Sequence, residues 1–128
     1  MLKSLRLPVA LTAGIVLFAT AAFAQAPVTT ATTDIGDVIA DAEGFVLYTF
    51  RNDAPGVSNC YDQCAQNWPP FFAEEGATEG DGYTLVTRND GTVQWAKEGM
   101  PLYYWVGDTE PGQTTGDGVG GNWDVARP

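Results

Sequence analysis

The chain has 128 residues, with 16 Asp and Glu against six Lys and Arg, no histidine, and a formal net charge of −10. Acidity this strong repels the phosphate backbone of nucleic acid and anionic lipid head groups, which makes both poor partners, and no nucleic-acid partner is expected. The absence of histidine removes the commonest general base, and with it haem attachment through C-x-x-C-H.

Residues 1–24 have the form of an export leader. Lys3 and Arg6 make a positive start, Leu7 to Thr20 an apolar stretch, and Ala22-Phe-Ala24 a small-residue cleavage site. The apolar run is shorter than the ~20 residues a spanning helix needs. Cleavage after Ala24 is therefore expected, with no membrane insertion afterwards and a periplasmic or secreted product. No cysteine stands beside the cleavage site to take a lipid. Losing two of six basic residues leaves a net charge of 4 − 16 = −12. Such a surface suits solubility, a cationic ligand or a basic protein partner.

From Gln25 to about residue 36 the composition of Thr, Ala and Pro predicts a flexible lead-in. Val38-Ile-Ala40 and Phe45 to Phe50 read as strands joined by the turn Asp41-Ala-Glu-Gly44. Both faces of the second run are apolar, as in a strand covered on two sides. Asp53-Ala-Pro-Gly56 breaks the run. Ser58-Asn59 then offers caps for a short helix over Cys60 to Asn67, stopped at Trp68-Pro-Pro70. Ala73 to Gly82, acidic and glycine-rich, reads as a linker. Beyond it come strands over Tyr83–Arg88, Thr92–Ala96 and Pro101–Val106, with turns at Asn89-Asp-Gly91 and Lys97-Glu-Gly99. Pro101 lacks an N–H and belongs at a strand's start or edge. Thr109 to Asn122 is a glycine-rich loop, and Trp123 to Ala126 a closing strand.

These elements occur twice. Sliding Val38–Trp68 over Val93–Trp123 without a gap gives nine identities in 31 positions, among them Tyr48/Tyr103, Asp53/Asp108 and Trp68/Trp123, with Phe50 opposite Trp105. A period of this length marks a duplicated unit that cannot bury its apolar face alone. The fold class expected is a small mainly β (all-β or α+β) domain over 37–128. It is built from two β-hairpin units, about 37–75 and 83–128, related by a pseudo-two-fold axis. One short helix surrounds Cys60 and Cys64.

Several residue sets are candidates for chemistry. The repeated Tyr48, Phe50, Asp53 and Tyr103, Trp105, Asp108 either hold each unit together or converge on the axis as a polar, ligand-binding site. Turn aspartates commonly accept backbone N–H groups, and tyrosines bury a ring while keeping the hydroxyl bonded. Cys60 and Cys64 form a disulfide, a reversible dithiol, or half of a copper or zinc shell. An oxidising compartment favours the disulfide, two thiolates leave a four-coordinate shell half-filled, and Asp62 disfavours a reactive thiolate. The dense aromatics suit core packing better than a stacking surface for sugars or quinones. The loop Gly116–Asn122, with Asp108 and Asp124, offers oxygen ligands for calcium but lacks the spacing of a calcium loop. Glu74 and Glu75 sit in the linker and read as solvated.

Tyr48-x-Phe50-x-x-Asp53 and Tyr103-x-Trp105-x-x-Asp108 both fit a Yx(FWY)xxD signature. On that signature the chain resembles a group of predicted bacterial lipoproteins, also described as a secreted repeat of unknown function. Ser58-Asn-Cys60, Cys64-Ala, Asn67-Trp-Pro-Pro70, Arg88-x-Asp-Gly91, Gln94-Trp95 and Gly99-x-Pro-Leu-Tyr103 are similar to the same group, as is the loop from Pro111 to Gly121. The resemblance implies an exported domain of two such units and brings no catalytic residue, metal or cofactor with it. The chain departs from lipoprotein members in having no cysteine after its leader. The reading that follows is a non-enzymatic exported domain that binds a partner or small ligand, or serves the cell envelope structurally. The alternatives are a redox or copper accessory protein using Cys60 and Cys64, and a carboxylate-based hydrolase.

Overall fold

The computed structural model describes residues 24–128, so the expected leader 1–24 lies outside the described residues except for Ala24, which bridges Ala77. The domain is mainly β, with strands β1 (Val28–Thr33), β2 (Gly36–Asp41), β3 (Tyr48–Phe50), β4 (Tyr83–Thr87), β5 (Val93–Lys97), β6 (Met100–Pro101) and β7 (Trp123–Val125). One short helix, α1, spans Gln63–Asn67. Among the described residues no helix is long and apolar enough to cross a membrane.

The stretch expected as a flexible lead-in is instead β1, antiparallel to β2 from Val28↔Asp41 to Thr33↔Gly36. Its Val and Thr residues are β-branched and fit a pleated surface with one face in solvent. The two-residue connection is closed by Thr33, whose hydroxyl donates to Gly36 O and accepts from Ile35 N–H. β1 lies 55 residues before β4, so each repeat begins with a hairpin: β1–β2 in the first, β4–β5 in the second.

The helix is also shorter than expected. Its caps were to be Ser58 and Asn59, but Ser58 bonds to Tyr103 and Arg88, and Arg88 takes the Cys60 carbonyl at 2.6 Å. A carbonyl held by a guanidinium is not free to begin a helical ladder, so α1 starts only at Gln63. The third strand of the second repeat is likewise cut to Met100–Pro101, because beyond it the chain pairs on two sides. Tyr103 bridges both Tyr48 and Pro70.

That double pairing shows how the repeats are joined. Each repeat gives its last segment to the other. Residues 69–73, from the first repeat, bond to the second: Phe71 N–H to Leu102 O, Trp95 N–H to Phe71 O, Tyr104 N–H to Pro69 O and Ala73 N–H to Val93 O. Reciprocally, β7 pairs with β3, Ala126 N–H donates to Leu47 O and Ile39 N–H to Ala126 O. At the centre, Tyr48 and Tyr103 exchange both backbone bonds, at 2.8 and 2.9 Å. A reciprocal bridge between equivalent residues places the pseudo-two-fold axis between them.

Side-chain alternation sends successive residues to opposite cores. Val38, Val46 and Tyr48 pack with Trp68, Tyr103, Trp123 and Val125 on one side. Ile39 and Leu47 pack with Phe71, Trp95, Leu102 and Ala126 on the other. The central strands are thus covered on both faces, as their composition predicts.

Candidate functional site

The repeated tyrosines and aspartates meet crosswise. The Tyr48 hydroxyl donates to Asp108 Oδ2 at 2.5 Å, and the Tyr103 hydroxyl donates to Asp53 Oδ2 at 2.7 Å. Each tyrosine therefore binds the aspartate of the opposite repeat. The second oxygen of each carboxylate closes its own turn: Asp53 Oδ1 accepts Asn59 N–H, and Asp108 Oδ1 accepts the Thr115 N–H and hydroxyl. Both tyrosines are raised well above the ordinary phenol range, chiefly by burial and further by the facing carboxylate. Burial also pushes Asp53 above the usual carboxylate range, against the opposing pull of Tyr103, the Asn59 N–H and the Arg88 charge.

Beside these pairs, four rings form one stack across the axis. Phe50 lies on Trp123 at 4.3 Å, Trp123 on Trp68 at 3.8 Å and 2° between planes, and Trp68 on Trp105 at 4.2 Å. Phe50 and Trp105 are equivalent by the repeat, as are Trp68 and Trp123. Tyr48 and Tyr103 meet the central pair edge-on, at 5.4 and 5.2 Å. Trp68 and Trp123 are nearly buried, whereas the outer rings are half-exposed. Gly116 is obligatory here, since a Cβ would come within 2.9 Å of Trp105, Trp68 and Tyr48.

One polar group went unread in the sequence. Arg88 is 4% exposed, yet no carboxylate bonds to it directly. Its Nη1 donates to Ser58 Oγ and Gln94 Oε1, and its face lies over Tyr61 at 4.4 Å. With the Tyr103 proton given to Asp53, Ser58 donates to Tyr103, which completes a chain Asp53–Tyr103–Ser58–Arg88–Gln94. The signal was present: Ser58-Asn-Cys60, Arg88-x-Asp-Gly91 and Gln94-Trp95 all belong to the family-like stretches. Nothing in their spacing shows that they meet.

Cys60 and Cys64 are joined as a disulfide, Cα atoms 5.2 Å apart, with Cys60 fully buried. Their pairing does not depend on a shared helical face, because Cys60 precedes α1. The carboxylates of the glycine-rich loop are committed to protein donors. Asp117 accepts Val125 N–H, Asp108 is bound as above, and Asp124 holds Arg51 through two bonds of 2.8 Å. Arg51 keeps Asp124 below the usual carboxylate range.

A cavity of about 290 Å³ opens on the opposite side of the sheet, between the β2 turn and residues 71–77. Its walls include Trp95, Tyr104, Phe72, Asp41, Glu43 and Glu74, and none of its lining residues is basic. Asp41 is buried and structurally engaged: Oδ1 accepts the Glu43 and Phe45 N–H groups, and Oδ2 accepts the Tyr104 hydroxyl at 2.7 Å. Burial, helped by that bond, raises Tyr104 well above the ordinary phenol range. Glu43, Glu74 and Phe72 are exposed at the rim. Sequence reading missed this site because its walls come from distant segments that share no motif.

A family model described as a secreted repeat of unknown function matches the chain twice, over residues 29–71 and 84–127. The two matches coincide with the two hairpin-led repeats. No curated protein and no solved structure matches the chain.

Proposed function

Because the chain belongs to this family of secreted repeats of unknown function, we propose that it acts outside the cytoplasm as a non-catalytic binding module for a small organic cation. Residues 1–24 direct export and are removed, which takes Ala24 from one edge of the cavity and leaves the Gln25 amino terminus beside it. The cavity walled by Tyr104 and Phe72, with the buried Trp95 beneath it, and rimmed by Glu43 and Glu74 is the observation that carries this reading. Aromatic faces attract a desolvated ammonium by about 0.5–2 kcal/mol, and unpaired rim carboxylates add long-range attraction. The repeated Tyr, Asp and aromatic residues are occupied with one another, which supports a structural role for them. The redox or copper alternative draws no support from a cysteine pair already closed on itself. The hydrolase alternative needs carboxylates free to face a substrate, whereas Asp53 and Asp108 each hold a tyrosine and a turn.

Titration calorimetry with tetramethylammonium, and with tert-butanol as a neutral, water-soluble control of similar size, tests the proposal. Saturable binding of the cation, weakened in Phe72→Ala and in Glu74→Gln, is expected. Equal heats for the cation and the neutral control, or binding indifferent to both substitutions, would reject it. Intact mass of the exported protein tests the leader separately: a chain beginning at Gln25 is expected, and one that retains residues 1–24 contradicts removal.

A further inference from the structure

The aromatic stack has a direction that packing alone does not require. Three of its four rings are indoles, Trp105, Trp68 and Trp123, and the fourth, Phe50, is a ring that resists one-electron oxidation. The stack therefore has one oxidisable end near the surface, the half-exposed Trp105. From there Trp68 lies 4.2 Å away and Tyr48 a further 5.4 Å, centroid to centroid, so the three π-systems are in van der Waals contact. Gly116 sits where all three rings meet, and its missing side chain is what lets them close together. At the inner end the Tyr48 hydroxyl already points its proton at Asp108 Oδ2. A phenol gives up an electron readily only when its proton has somewhere to go, and here an acceptor is in place.

We propose that Trp105, Trp68, Tyr48 and Asp108 form a path that carries an oxidising equivalent from the surface to a buried phenol. A high-potential one-electron oxidant of the oxidised metal-complex class removes an electron from the Trp105 indole and is itself reduced by one electron. The resulting radical cation is refilled from Trp68, and Trp68 is refilled from Tyr48. The Tyr48 O–H bond breaks as its proton passes to the Asp108 carboxylate. The products are a reduced oxidant, a neutral Tyr48 phenoxyl radical and a protonated Asp108. A one-electron donor of the quinol class reverses the step, with the proton returning from Asp108 to Tyr48. The equivalent tyrosine is the poorer terminus. Tyr103 shares its hydroxyl with Ser58, which lies against the Arg88 cation, and positive charge there opposes arrival of a hole. The disulfide leaves no free thiol among the described residues to intercept the radical. Burial holds Tyr48 in its protonated form, so reaching the neutral radical requires loss of the proton to Asp108 as well as of the electron.

The test uses the full disulfide-bonded chain with photogenerated tris(bipyridine)ruthenium(III) as oxidant, read by freeze-quench electron paramagnetic resonance and transient absorption. A phenoxyl signal is expected in the parent protein. Tyr48→Phe should lose it and leave the oxidation on indole. Trp105→Phe, a change at the half-exposed end of the stack, should lose it while the far-ultraviolet circular dichroism and the cooperative denaturant transition stay native. That second variant decides the matter if Tyr48→Phe fails to fold. In Asp108→Asn the phenoxyl should form more slowly, because the Tyr48 proton must then leave to solvent in place of the carboxylate. An indole radical in the parent, or a phenoxyl signal that survives Tyr48→Phe or Trp105→Phe and so resides on Tyr61, Tyr83 or another ring, would overturn the proposal.

Discussion

A buried phenol facing a carboxylate contributes only when both partners are present. Removing one leaves the other unpaired at a cost of about 1–3 kcal/mol. This gives the crossed pairing a signature in energy. In double-mutant cycles on folding stability, Tyr48→Phe should couple to Asp108→Asn and Tyr103→Phe to Asp53→Asn, each by about 0.5–3 kcal/mol. The within-repeat pair Tyr48 and Asp53 should be additive. Coupling inside a repeat and none across would refute the geometry. The same phenols set the alkaline limit. Tyr48, Tyr103 and Tyr104 all have folded pKa values raised above the unfolded value of about 10. A raised pKa means the native state holds its protons longer. The stability this contributes is complete below pH ~10 and is lost as pH rises through the folded values. Denaturant midpoints measured from pH 8 upward should be flat and then fall steeply, and Tyr104→Phe should make the fall shallower. An unchanged slope in that variant would mean that Tyr104 does not titrate with unfolding.

At the scale of elements, much of the architecture could be read from residue pattern. The hairpin turns at Gly44 and Gly99, both with positive φ, stand where the duplicated Glu-Gly signals place them. The two-faced burial of the central strands follows from their unbroken apolar runs. β1 was hidden because Thr-rich segments serve equally as linkers and as edge strands, and only the partner β2 decides between them. The helix start was hidden because Arg88, 28 residues away, takes the Cys60 carbonyl. The candidate site was legible in its residues and not in its connections. Tyr48, Phe50, Asp53 and their counterparts stood out as a repeated motif, but exchange between repeats leaves no trace in the motif itself. The disulfide is a local device. Its short loop contributes about 2 kcal/mol by chain entropy, so Cys60→Ser with Cys64→Ser should lower stability by about that amount and leave the circular dichroism spectrum native. Loss of the whole fold would show that the staple does far more than restrain its loop.

The whole molecule is two repeats locked through each other. The terminal segments 69–73 and β7 each complete the opposite sheet, the central backbone bridge joins Tyr48 to Tyr103, and every tyrosine–aspartate pair of the motif crosses the boundary. The turns cross as well. Gly56 N–H donates to Gly99 O, and Gly112 N–H donates to Gly44 O, at 2.8 and 3.0 Å. The aromatic stack alternates ownership between the repeats at its centre, since Trp68 belongs to one and Trp123 to the other. Duplication here produces one cooperative body, with neither half retaining a closed core by itself. The most direct test is to cut the chain in the exposed turn between Glu75 and Gly76 and record near-ultraviolet circular dichroism on fragments 25–75 and 76–128, apart and mixed. Interlocking predicts no tertiary signal from either fragment alone and recovery of the intact spectrum on equimolar mixing. A native-like signal from one fragment by itself would contradict it.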